Sequence, residues 1–121
     1  GRGLDVVYDP VSGEWSEAAF RSLAPGGRHL VIGFASGEIA KLPLNLALLK
    51  RASLVGVDWG GHIRAHVAEG PRITRRLMEL VAAGKISPRA DSVHALADAP
   101  QVIADMLARK MIGKPVIRPQ A

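Results

Sequence analysis

Histidines and aspartates are the side chains in this sequence most able to do chemistry, and their spacing argues against most of it. His62 and His66 stand four apart, where two imidazoles on one helix would share a zinc ion. No carboxylate lies between them in the H-E-x-x-H manner and glycines bound the segment, so no metal site is expected. Asp5 and Asp9 straddle a short apolar run, but a shared strand face does not make an acid-base pair. Turn and surface roles are expected of both. Cysteine is absent, which removes thiolate nucleophiles, disulfides and cysteine-ligated zinc from these residues. Nothing marks a serine triad, and no catalytic residue is assigned.

The suggestive chemistry lies in the backbone. Leu23 to Gly37, LAPGGRHLVIGFASG, reads as turn, strand and glycine-bearing opening. Pro25-Gly26-Gly27 bends the chain. Arg28 to Phe34 is too continuously apolar for a strand with a wet face, and Gly33 and Gly37 let the backbone come close to something beyond the strand's carboxyl end. In open α/β sheets ligands sit at that end. A tight turn after a buried strand is the alternative. Part of a nucleotide-cofactor site is the expectation.

The remaining elements must position that opening. LDVVYD, residues 4 to 9, reads as a buried strand ended by Asp9 and Pro10. A helix should follow, capped by Ser12 or Gly13, with Trp15, Ala18, Ala19 and Leu23 on one face and Trp15 in the core. Two buried strands joined by a helix imply a right-handed parallel β-α-β unit. After Gly37, Pro43 opens a helix that is apolar nearly all round through Leu44, Leu46, Leu48 and Leu49, and burial on several sides is expected. Residues 52 to 58 give a third strand, and Trp59-Gly60-Gly61 a second glycine opening. Pro71 starts a further helix that Gly84 closes. From Lys85 prolines break the chain into short pieces: an edge strand over Ser92 to Leu96, a helix introduced by Asp98 and Gln101, and a last strand from Pro115 to Arg118.

Composition narrows the class. A chain of 121 residues, 48% hydrophobic and 22% charged, suits one globular domain or less. No apolar run would span a bilayer and no charged-then-apolar leader opens the sequence, so a cytoplasmic location is expected. The net charge of +5 invites an anionic partner. Only Arg72, Arg75 and Arg76 cluster, and aromatic residues, at 4%, are too few to stack bases. Nucleic acid is therefore not the expected partner.

The fold class expected is α/β: the second half of a Rossmann-type parallel sheet, its strands 4 to 6 with their helices, over residues 1-84, then a short α+β tail over 85-121. A complete doubly wound domain carries its glycine fingerprint after strand 1. No G-x-G-x-x-G lies at a strand-to-helix junction here. Strand 4 is left with a bare edge, which another part of a longer polypeptide, or a second copy, is expected to cover.

Taken in order, DVVYDPVSG, LAPGGRHLVIGFASG, LPLNLALLKRASLVGVDWG, LMELVAAGKISP and RKMIGKPVIRP resemble the C-terminal part of the medium-chain dehydrogenase/reductase superfamily, in its zinc-independent quinone oxidoreductase branch. That resemblance implies an oxidoreductase that moves hydride from NADPH, or NADH, to a quinone or an α,β-unsaturated carbonyl. It implies that the tail returns to a substrate-binding domain. Val11, Ser12 and Gly13 resemble the loop that approaches the ribose and nicotinamide, with serine at 12 where glycine is commoner. Gly33, Phe34 and Ala35 match the nicotinamide pocket, and Val57, Asp58 and Trp59 another wall of it, although many relatives carry an aromatic residue where this chain has Asp58. Arg109, Gly113 and Lys114 match a late basic motif that reaches cofactor phosphates, where guanidinium-phosphate pairing supplies the reason. Core packing of Phe34, and neutralisation of a helix C-terminus by Arg109 and Lys114, are the alternatives.

Two rivals stand beside the reductase fragment. One is a non-catalytic association module in which the third strand, Ala52 to Asp58, pairs with a second copy; the resemblance implies a homodimer through the same strand. The other, weaker, is a methyltransferase fragment, because LAPGGR alone resembles a late methyltransferase strand.

Overall fold

The computed structural model describes residues 1–119. The chain packs as two compact units, Gly1–Val67 and Ala68–Ala121, so the packing boundary lies one helix ahead of the change in sequence texture after residue 84.

The first unit is built on three parallel strands in the order β1-β2-β3: β1 (Leu4–Asp9), β2 (Leu23–Val31) and β3 (Ser53–Gly56). Helices α1 (Ser16–Arg21) and α2 (Asn45–Lys50) make the crossovers. Because the strands are added in one direction, crossovers of one hand put both helices on one face. In register, Val7 aligns with His29 and Asp9 with Val31, while His29 aligns with Leu54. These residues share a face, and that face carries the core: Phe20 of α1 and Leu46 of α2 are buried with Leu23, against Val7, Leu42, Ala47 and Ala52. Residues of the opposite set, Val6 and Tyr8, are exposed. β1 is thus an edge strand covered on one side, not the fully buried strand that its apolar run suggests.

Several expectations change in detail. The Pro25-Gly26-Gly27 bend falls inside β2, because Leu23 already pairs with Leu4 before the register jumps from Leu4–Leu23 to Val6–Arg28. Gly26 takes φ 82° and donates to the Arg51 carbonyl at 2.8 Å, so the excursion is tied down. Trp15 is 71% exposed and not core; it precedes α1, whose buried positions are Ser16 and Phe20. Neither Ser12 nor Gly13 caps that helix. Leu44, Leu48 and Leu49 are exposed and only Leu46 of α2 is buried, since a single sheet face offers that helix one contact stripe. Trp59-Gly60-Gly61 is no open loop but the first turn of α3 (Trp59–Ala65).

The second unit holds α4 (Glu69–Ala82), β4 (Ser92–Ala95), a 3-10 turn over Leu96–Asp98, α5 (Ala99–Leu107) and β5 (Pro115–Arg118). β4 and β5 pair in parallel. Gly84, at φ 67°, closes α4 in the left-handed form. Asp98 accepts from the Ala95 N–H, while Gln101 bonds Asp105 instead of completing a cap.

Candidate functional site

β1 ends at Asp9 because Pro10 has no N–H to continue the ladder. The Asp9 carboxylate then folds over the turn. Its Oδ1 accepts from the Val11 N–H at 3.0 Å and the Ser12 N–H at 2.8 Å; its Oδ2 accepts from Ser16 Oγ at 2.7 Å and His29 Nε2 at 3.0 Å. Burial alone would raise this carboxyl. The bonds from Ser12, Ser16, Val11 and His29 outweigh it and hold the group at about 2. Four donors saturate an ionised carboxylate. His29 is 2% exposed and stacks on Phe20 with ring centroids 6.0 Å apart. Since an ionised carboxylate only accepts, Nε2 carries the proton; Nδ1 is buried without a partner among the described residues.

Ser12 adopts φ 61°, a left-handed conformation that a non-glycine residue enters only at a cost. Two bonds hold it there. Its N–H donates to Asp9, and its Oγ accepts from the Ala40 N–H at 3.1 Å. The β1 loop is also laced to the β2 loop, with Ala35 N–H on the Pro10 carbonyl at 3.1 Å and Ser36 N–H on the Val11 carbonyl at 2.9 Å. A Cβ at Gly33 would stand 3.2 Å from the Pro10 oxygen, so this approach favours glycine. Pro10, Val11 and Gly13 therefore lie against Gly33, Ala35 and Ser36, while Ser12 is bonded to Asp9 and Ala40.

The third segment joins them through β3, where the Val57 N–H donates to the Val31 carbonyl at 3.0 Å. A cleft of about 470 Å³ lies between, bordered by Ile32, Phe34, Gly56, Val57 and Asp58. Phe34 is half exposed. The Asp58 carboxylate caps α3, accepting from the Gly61 N–H at 2.8 Å. A Cβ at Gly61 would collide with that carboxylate, which explains the glycine. Trp59 is 54% exposed and stacks on His62. A separate cavity of about 200 Å³ borders Asp9, Ser16, His29, Phe34, Leu42 and Leu54.

Arg109, Gly113 and Lys114 lie in the second unit. Arg109 and Gly113 both adopt positive φ. The Lys114 N–H donates to Asp91 Oδ2 at 2.8 Å, and a Cβ at Gly113 would stand 2.5 Å from the Asp91 carboxylate. His62 and His66 stack at 4.4 Å, and His66 Nδ1 is bonded to the His62 carbonyl. Asp5 sits on the surface beside Arg2. Sequence reasoning missed His29 and Ser16 and gave Asp9 only a turn role. The available signal was an imidazole followed directly by an apolar run in a strand expected to be buried, a position that demands a polar partner.

Residues 1–117 match the model of the family described as zinc-binding dehydrogenase. The chain belongs to that family. It matches the C-terminal part of a medium-chain dehydrogenase/reductase, which removes the methyltransferase reading. Among its relatives, the bovine (Bos taurus) quinone oxidoreductase-like protein 2 is 36% identical over 112 residues, covering 93% of this chain and 32% of that protein. A probable oxidoreductase from Mycobacterium abscessus superposes with a TM-score of 0.76 at 34% identity, over 98% of this chain and 34% of that one. A mycobacterial protein solved in complex with NADPH superposes with a TM-score of 0.82 at 25% identity, over 98% and 36%. The chain thus spans about a third of the length of the quinone oxidoreductase-like relatives it matches. These relatives are oxidoreductases of the quinone oxidoreductase-like type, and the α/β sheet is the Rossmann-like one of their C-terminal part.

The family's description names zinc. Among the described residues no three of histidine, cysteine, aspartate or glutamate come together to hold a metal ion, so the residues do not fit a zinc site and no step is derived through one. No helix among them is long and apolar enough to cross a membrane.

Proposed function

We propose that this zinc-binding dehydrogenase family chain supplies the nicotinamide-facing half of the cofactor site in an NADPH-dependent reductase of quinones or α,β-unsaturated carbonyls. One observation carries the reading: at the carboxyl end of the sheet Phe34, beyond β2, and Val57 and Asp58, beyond β3, border one open cleft, and the loop after β1 is hydrogen-bonded to the loop after β2 beside it. That region suits a planar, partly apolar ring. When bound, the reduced nicotinamide supplies a hydride, which with one proton from solvent takes a carbonyl conjugated to a double bond to its reduced form. The chain's own contribution is positional. Phe34 and Val57 present apolar walls to the ring and limit water, while the laced Pro10–Gly13 and Gly33–Ser36 backbones fix the floor. Arg109, Gly113 and Lys114 are assigned to the cofactor phosphates, and the zinc-independent branch is taken from the sequence resemblance.

The bare β1 edge is assigned to the preceding half of the same nucleotide-binding domain, which would bring the glycine loop. β3 is the other edge of the sheet, and its outer backbone N–H and C=O groups, unpaired within the sheet, favour pairing of that edge with a second copy. The function is tested on the protein with its complete nucleotide-binding domain, by following NADPH oxidation with a quinone and with an enone. Consumption of NADPH that depends on either acceptor is expected. Failure with every acceptor in both classes, NADPH and NADH alike, would sink the proposal.

A further inference from the structure

We infer that His29 is a positioning residue which, through Asp9, holds the Val11–Gly13 loop in the form that receives the nicotinamide nucleotide; this rests on the function proposed above. The chain of contacts runs from core to loop. Phe20 is fully buried and its ring faces His29; His29 donates from Nε2 to Asp9 Oδ2; Asp9 Oδ1 holds the N–H groups of Val11 and Ser12. His29 is centred in the sheet, aligned with Val7 on one side and Leu54 on the other, so its ring moves only with the sheet. The loop, by contrast, has left its strand and contains a serine in the left-handed region. Without an anchored carboxylate, Ser12 would lose one of the two bonds that hold it there, and the laced Pro10 and Val11 carbonyls would shift with it.

The same geometry argues against a proton relay. A relay needs an exit, and the imidazole's Nδ1 is sealed from solvent and has no partner among the described residues. The Asp9 carboxylate has no acceptor capacity left for a substrate proton, its two oxygens being filled by four donors. The dyad is a strut between rigid core and ligand loop.

The test compares His29→Phe, which keeps a ring for Phe20 to stack on but removes the donor, with His29→Gln, which keeps an N–H. Both are made in the protein with its complete nucleotide-binding domain. Two quantities are read: the NADPH dissociation constant, by fluorescence titration, and hydrogen exchange at the Val11 and Ser12 amides, with Ser53–Gly56 as the internal control. His29→Phe is expected to weaken NADPH about tenfold, the equivalent of one hydrogen bond to a charged group, and to speed exchange in the loop alone. His29→Gln is expected to restore both to within about threefold. Unchanged NADPH affinity and loop exchange in His29→Phe would overturn the inference, as would exchange rising equally in the control strand, which marks a role in stability only. If the native protein binds no NADPH, the functional reading falls, and loop exchange alone then decides whether His29 holds the loop.

Discussion

Replacing Asp9 by asparagine tests the ionised network most directly, and the structure sets the size of the effect. The carboxyl is held at about 2 against an ordinary 3.8, with its side chain 14% exposed. At about 1.4 kcal/mol for each tenfold change in proton affinity, the folded state gains about 2–3 kcal/mol at neutral pH from keeping this group ionised. The sign follows from the direction of the shift. A carboxyl lowered on folding stabilises at pH values above its unfolded pKa, and that stability drains away as pH falls from about 4 through about 2; about half remains near pH 3. Asparagine offers one acceptor where the carboxylate offers two, and its amide meets two groups, Ser16 Oγ and His29 Nε2, that now donate to Asp9. In urea titrations Asp9→Asn is expected to be less stable than native by at least about 2 kcal/mol at pH 7, with the gap about 1 kcal/mol smaller at pH 3. A gap that stays constant over that range refutes the assignment of an ionised, hydrogen-bonded Asp9.

Three further outcomes follow from the same contacts. Phe20→Ala removes a fully buried ring shared by the core and by His29, and should cost about 3–5 kcal/mol in the unfolding of the first unit, seen as an earlier urea midpoint. Asp58→Ala deletes the cap of the seven-residue α3 and should cost about 1 kcal/mol, with faster hydrogen exchange confined to Trp59–Ala65; unchanged exchange there would contradict the capping role. If β3 pairs with its counterpart, Val55→Lys sets like charges against each other across the edge, and a native dimer on size-exclusion chromatography should become a monomer. A native protein that elutes as a monomer removes the dimer reading.

The backbone plan was legible where residues act locally. The run Leu4 to Asp9 followed by proline, Pro43 ahead of α2, Gly84 after α4 and Pro115 to Arg118 at the end all declare their elements by pattern and punctuation. Legibility failed where a residue's meaning depends on a distant partner. Trp15 reads as core by its chemistry, but α1 turns Phe20, not Trp15, towards the sheet. Trp59-Gly60-Gly61 reads as a loop until Asp58 is seen to cap it as a helix. Pro25-Gly26-Gly27 does bend the chain, but pairing of Leu23 with Leu4 carries the strand across the bend. The site shows the same division. The glycine-bearing opening at Gly33 and Gly37 is a local signal, whereas the bond between Asp9 and His29, twenty positions apart, exists only once two strands lie side by side.

Ser12 carries a lesson for anyone who would transplant this loop. Its left-handed backbone is tolerable because Asp9 and Ala40, which belong to a strand end and to a segment 28 residues downstream, each supply a bond. Grafted as Pro10 to Gly13 alone, the motif would arrive with its strain and without its supports, and a host would do better to receive glycine at that position. The portable unit is discontinuous: strand end, turn and the Ala40 amide together. Exchange of serine for glycine here is therefore conditional on residues that no local alignment of the loop would bring into view.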